Sequence, residues 1–143
     1  MLLAVVLLAM AVPARAGMSE LVVETAAGAR HPFSVEVADD DRSRAMGLMF
    51  RVKLGADEGM LFDFRPPQRV AMWMRNTFIP LDMLFLADDG RIVHVVARAV
   101  PHSLTHVGPS EPVRAVLEIN GGTAERLGIA TGDRVRHPIF KGG

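Results

Sequence analysis

The chain has 143 residues, 50% of them hydrophobic, with 16 Lys and Arg against 16 Asp and Glu and no cysteine. That length allows one domain with room for a core, and the apolar share excludes an intrinsically disordered chain. A net charge of zero withholds the basic field that nonspecific nucleic-acid binding needs, and the lack of cysteine removes disulfides, thiolate nucleophiles, Fe–S clusters and Cys-ligated zinc.

Leu2 to Val12 is an unbroken apolar run closed by Pro13-Ala14-Arg15-Ala16. It is too short to cross the ~30 Å hydrocarbon layer, which takes about 20 helical residues. Its small-x-small ending reads as a signal-peptidase site after Ala16. The expectation is a leader over residues 1–16 and a single soluble domain over 17–143, periplasmic or secreted. No cysteine is present to carry a lipid anchor.

Glu20 to Thr25 reads as a strand, and Ala26 to Arg30 as a turn into a second strand around Phe33 to Val37, whose apolar residues alternate with Ser34 and Glu36. Asp39-Asp40-Asp41 offers a cap to a short helix from Arg42 to about Met49, with Ala45, Met46, Leu48 and Met49 as its apolar stripe. Gly47 inside it points to close packing or an early end. Gly59 to Phe64 is a strand stopped by Pro66-Pro67. Val70 to Thr77 and Leu81 to Ala87 read as two strands separated by Pro80. Asp88-Asp89-Gly90 turns the chain into Arg91 to Arg98. Pro101 to Pro112 is an ordered loop, Val113 to Ile119 a strand, Thr123 to Leu127 one helical turn ended by Gly128, and Asp133 to His137 the last strand. Short strands at close spacing with two brief helices predict a mainly β fold, a small sandwich or distorted barrel, over any βαβ layout.

Within the strand from Leu81, Asp82 shares a face with Leu84 and Leu86. A carboxylate there is buried, and a buried charge needs a partner. Arg44, Arg51 and Arg75 are the candidates, with Asn76 or Thr77 adding hydrogen bonds. Asp82 then either closes a structural network or forms the floor of a ligand pocket. Arg44 and Arg51 fit the second reading, because guanidinium forks grip carboxylates and phosphates; equally, they fit salt bridges from helix to sheet.

Four blocks taken together carry a resemblance: Arg44 to Arg51 (RAMGLMFR), Gly59 to Phe64 (GMLFDF), Met72 to Phe85 (MWMRNTFIPLDMLF) and Val116 to Gly122 (VLEINGG). In this order the chain resembles the bacterial and archaeal domain of unknown function 192, over nearly all of its length beyond the leader. The resemblance implies a compact mainly β fold, often behind a signal peptide, and brings no established activity, cofactor or ligand.

Two further sets of residues bear on metals. Met72 and Met74 on one strand face, with Met46 and Met49 a helical turn apart, could offer thioethers to Cu(I), although Met is also an adaptable core filler. His102 and His106 could meet His94 or His137 across a loop. The methionine geometry permits a three- or four-sulfur site, the histidines lack metal-site spacing, and no cofactor is expected. The leading reading is noncatalytic binding of a small ligand or an envelope protein at Arg44, Arg51, Asn76 and Asp82, with no nucleic acid and no membrane attachment once the leader is gone. The alternatives are an enzyme using Asp82 and Glu118 as acid and base, and a metal-handling protein using Met or His.

Overall fold

A computed structural model describes residues 17–142, so the segment expected to be a leader, residues 1–16, lies outside the described residues. Seven strands form one sheet: β1 (Ser19–Glu24), β2 (Arg30–Ala38), β3 (Glu58–Gln68), β4 (Leu81–Leu86), β5 (Ile92–Ala99), β6 (Val113–Asn120) and β7 (Arg134–Arg136), in the order β5-β4-β6-β3-β2-β1-β7. The sheet curls until its two edges touch: Ile92 N donates to Asp133 O at 2.8 Å, and Val135 N donates to Gly90 O at 2.8 Å. The fold is thus mainly β, a curled half-barrel with two short helices.

Both faces of the sheet are covered, which explains why β4 and β6 are buried nearly end to end and read as continuous apolar runs. Leu21, Val35, Leu61, Leu84 and Leu117 pack on one face with Ala124 and Ile129. Met60, Phe62, Met83, Phe85 and Val116 pack on the other under Leu48, Val70, Met74 and Ile79 from the connecting segments. Burying such side chains contributes about 1.5–3 kcal/mol each.

Helix α1 (Asp41–Met46) starts where the acidic triplet predicts, with Asp40 accepting from Ser43 N at 2.7 Å. That bond holds the Asp40 carboxyl below its ordinary range. The helix is shorter than its apolar stripe implies. Gly47 takes a φ of +48, and a Cβ there would lie 3.1 Å from the Phe62 ring, so close packing and an early end are the same event. None of the residues of α1 is buried; Met46 faces outward.

Three further expectations need correction. Residues 70–77 form no strand and touch a ladder only through the Met72–Val107 bridge; Val70 and Met74 are buried as coil, which mimics strand alternation. Strand β3 runs through Pro66-Pro67 to Gln68, its ladder to β6 breaking between Asp63 and Gln68 where the prolines lack N–H donors. Finally β2 and β3 pair in parallel, with α1 in their connection, so one β-helix-β crossover does occur.

Helix α2 (Thr123–Leu127) ends at Gly128 with φ +68, where a Cβ would meet nothing within 4 Å. Gly128→Ala is therefore expected to cost only the conformational penalty, about 1 kcal/mol, seen as a lower thermal midpoint with the denaturant slope unchanged.

Candidate functional site

Asp82 is fully buried, as its leucine neighbours predict. Its partners are not arginine side chains. Oδ1 accepts from Arg98 N at 2.8 Å and Gly122 N at 3.0 Å, and Oδ2 accepts from Ala124 N at 2.9 Å. The reason lies in α2, whose N-cap is Gly122 and has no side chain to satisfy the helix's free N–H groups. Asp82 supplies the cap from a neighbouring strand. Arg98, at φ +49, aims its own N–H at the same carboxylate, while its guanidinium pairs with Glu125 at 2.5 Å. That pairing raises the Arg98 pKa, with a smaller contribution from Asp82.

The other predicted site residues do not join Asp82. Arg44 Nη1 donates to Asp63 O at 2.9 Å, its Nη2 pairs with Asp41 at 2.8 Å, and the guanidinium lies over the Phe64 ring. Arg51 pairs with Glu36 at 2.6 Å. Asn76 is half-buried, and its backbone O accepts from Phe50 N at 2.8 Å. Asp82 with Glu118 also fails as an acid–base pair. Asp82 lies opposite Ile119 and Met83 opposite Glu118, so the two carboxyls project from opposite faces of the sheet.

Glu118 is the group that merits a site. It sits on β6 between Met60 of β3 and Met83 of β4, both buried, and only 4% of it is exposed. This apolar setting pushes its pKa up to about 8, so the carboxyl is protonated at neutral pH. The other buried acids each have partners, although Asp63 Oδ2 is itself buried without a hydrogen bond. Asp63 pairs with Arg114 at 2.9 Å, Asp82 accepts three N–H groups, and Asp133 accepts from Ala26 N and Ala130 N. Among the described residues no hydrogen bond or ion pair reaches Glu118, whose carboxyl oxygens keep contact with solvent in the cleft beside it.

What Glu118 faces instead is a shallow, solvent-open cleft with a cavity volume of about 40 Å³, formed by the segment from Arg44 to Met49, Phe62, Met72, Trp73, Thr77 and Glu118. Of the four residues predicted for ligand binding, Arg44 alone lines it. Met46, Met49 and Met72 also border the cleft, whereas Met74 is sealed in the core. The histidines are dispersed: His94 packs on Phe85, His102 on Phe78 and His106 on Trp73, and His137 bonds to Ser19 at 2.7 Å. Among the described residues no three His, Asp or Glu side chains gather as a metal site. Chemically, the cleft offers one neutral carboxylic acid, able to donate and accept, beside an indole, thioethers and a guanidinium already held in place.

Sequence reasoning did not place Trp73 at a site, and named Thr77 and Glu118 only as partners of Asp82. The available signal was Glu118 itself, a lone acid within the apolar run Val116-Leu117-Glu118-Ile119.

The model of the DUF192 family, described as Uncharacterized ACR, matches residues 22–137. Two solved structures are similar. A protein from Sinorhizobium meliloti described as a candidate transcription regulator is 46% identical, with 86% of this chain and 95% of that chain covered and a TM-score of 0.84. A protein of unknown function from Novosphingobium aromaticivorans is 46% identical, with 84% and 85% covered and a TM-score of 0.81. No curated protein matches.

Proposed function

The chain belongs to the DUF192 family, and from that premise we propose that it is a noncatalytic binding domain whose cleft takes a small ligand onto Glu118. One observation carries this reading. Of the four buried acids, Glu118 alone has no protein partner, and it opens onto a cleft. A carboxyl in an apolar setting that no protein group satisfies is open to a ligand group that bonds to it in place of water. Arg44 borders the same cleft and adds positive potential.

Trp73, the sole tryptophan, borders the cleft and reports on its occupancy. Protein isolated from its own cells is expected to carry a small molecule visible by native mass spectrometry, and adding that molecule to stripped protein should change Trp73 emission saturably. Glu118→Met matches the flanking Met60 and Met83 in volume and should fold, yet bind at least tenfold more weakly, a loss of about 1.4 kcal/mol. Protein that runs at its bare sequence mass and shows no Trp73 response to extracts of those cells refutes the reading. A retained protein in place of a small molecule makes the cleft an envelope-partner site.

Export belongs to the same proposal. It is supported by the apolar run Leu2 to Val12 followed by Ala14-Arg15-Ala16. An intact mass beginning at Gly17 is the expected result.

A further inference from the structure

Three segments, residues 42–54, 64–80 and 98–110, contain no Asp or Glu in a chain whose overall charges balance. They carry eight arginines and lysines between Arg42 and Arg98. They also carry every large apolar side chain that the described residues expose, including Phe50 and Val52 from the first, Trp73 and Phe78 from the second, and Val100 and Leu104 from the third. Val52 is 83% exposed, Val100 68% and Leu104 65%, so these are protruding tips.

The segments form one surface. Phe50 meets Phe78 edge-on with ring centres 6.2 Å apart, Phe78 meets His102 at 5.3 Å, and Trp73 meets His106 at 5.4 Å. Backbone bonds clasp them: Phe50 N donates to Asn76 O at 2.8 Å, and Met74 N donates to Ser103 O at 2.9 Å. Phe50 and His102 each hold φ at +65, a conformation unfavourable for bulky residues, and both remain exposed.

The charge on this surface is only partly neutralised. Arg44, Arg51, Arg65 and Arg98 pair with acids outside the three segments. Arg42, Lys53, Arg69 and Arg75 are exposed and have no ion-pair partner among the described residues. The Arg75 guanidinium lies 5.4 Å from the Trp73 ring centre.

We propose that this face docks on an anionic phospholipid bilayer. Exposed apolar side chains, with Arg75 against Trp73 and unpaired Arg42, Lys53 and Arg69 in the same segments, match an interface in which insertion depth, not shape, provides the fit, and anionic headgroups complement the charge. A Trp beside an Arg suits the headgroup level, where an indole and a guanidinium both find partners. No helix among the described residues is long and apolar enough to cross a membrane. The expectation that the chain avoids membranes rests on that kind of absence and on the lack of a lipid-bearing cysteine; peripheral docking requires neither. The proposal does not depend on the Glu118 cleft being a ligand site.

The test is co-sedimentation of the natively purified protein with vesicles of 3:1 phosphatidylcholine and phosphatidylglycerol, against phosphatidylcholine alone, at low and high salt. The expected result is binding to the phosphatidylglycerol vesicles alone, weakened by salt, with Trp73 emission shifted to the blue. Phe50→Ser with Phe78→Ser, and separately Lys53→Glu with Arg75→Glu, should each weaken binding at least tenfold. All four side chains are solvent-facing, and an unchanged melting temperature verifies the fold. Equal binding to both vesicle types, no binding to either, or binding that neither pair of substitutions alters overturns the proposal. So does a short DNA duplex that binds where vesicles do not.

Discussion

Replacing Asp82 with alanine is expected to destabilise the protein by about 4 kcal/mol, the largest loss predicted for a single side chain here. Two effects combine. The backbone N–H groups of Arg98, Gly122 and Ala124 lose their acceptor together, and a buried donor without a partner costs about 1–3 kcal/mol. The fully buried site also becomes a void beside Leu84 and Leu86. Asp82→Asn should cost less, about 2 kcal/mol, because one carbonyl oxygen remains while the new NH₂ faces a donor. Urea unfolding of the three proteins measures the order. If alanine and asparagine are equally mild, the carboxylate does not cap α2. Hydrogen exchange adds a local readout: protection should drop first at Gly122 and Ala124, since α2 is only five residues long and has no cap of its own.

Asp82 also marks the boundary of what was legible in advance. Its burial follows from Leu84 and Leu86 at the strand period, which needs only the sequence. Its partners do not follow, because backbone N–H groups belong to every residue and leave no mark on residue identity. The trace that did exist was negative: Gly121-Gly122 precedes α2, so a helix start without a capping side chain needed an acceptor from elsewhere. Elements bounded by turn chemistry were legible for a related reason. Pro80 before β4, Asp88-Asp89-Gly90 before β5 and Gly128 after α2 act through local backbone preference, which sequence encodes directly. Residues 70–77 were misread because Val70 and Met74 are buried as surely as strand residues, and periodicity reports burial, not ladder bonds. The parallel β2–β3 pairing was invisible for the complementary reason: a side-chain period shows which face a residue takes, never which neighbour its strand acquires. Arg44 and Arg51 pair with Asp41, three residues away, and with Glu36 on the neighbouring β2; only the first of these partners is marked by sequence spacing.

Glu118 provides the second large effect, and it depends on pH. The unfolded chain releases this proton near pH 4.5, the ordinary glutamate value, while burial holds the folded group at about 8. Between those values the native state binds one more proton than the unfolded state, so stability falls as pH rises, by about 1.4 kcal/mol per unit. The contribution is fully present below pH 4.5 and lost by the time pH has passed about 8. Glu118→Gln removes the titration and nearly keeps the shape. Its advantage over the parent should be close to zero at pH 4.5, reach about 3 kcal/mol at pH 7 and level off above pH 8. The difference between the two proteins isolates this group from His137, whose pKa burial lowers and whose contribution runs the other way, stability being lost as pH falls through the range where the unfolded imidazole protonates. A difference that does not change with pH would mean that Glu118 is ionised and paired in the native state. The expected slope has a functional corollary. Met60 and Met83 on either side fill this part of the sheet with apolar side chains, where an ionisable carboxyl weakens the fold as pH rises. A ligand bonded to the protonated carboxyl would raise its pKa further, so ligand should move the end of the slope to higher pH. Stability curves measured with and without the retained molecule therefore test Glu118 as the point of attachment without requiring any assayed activity.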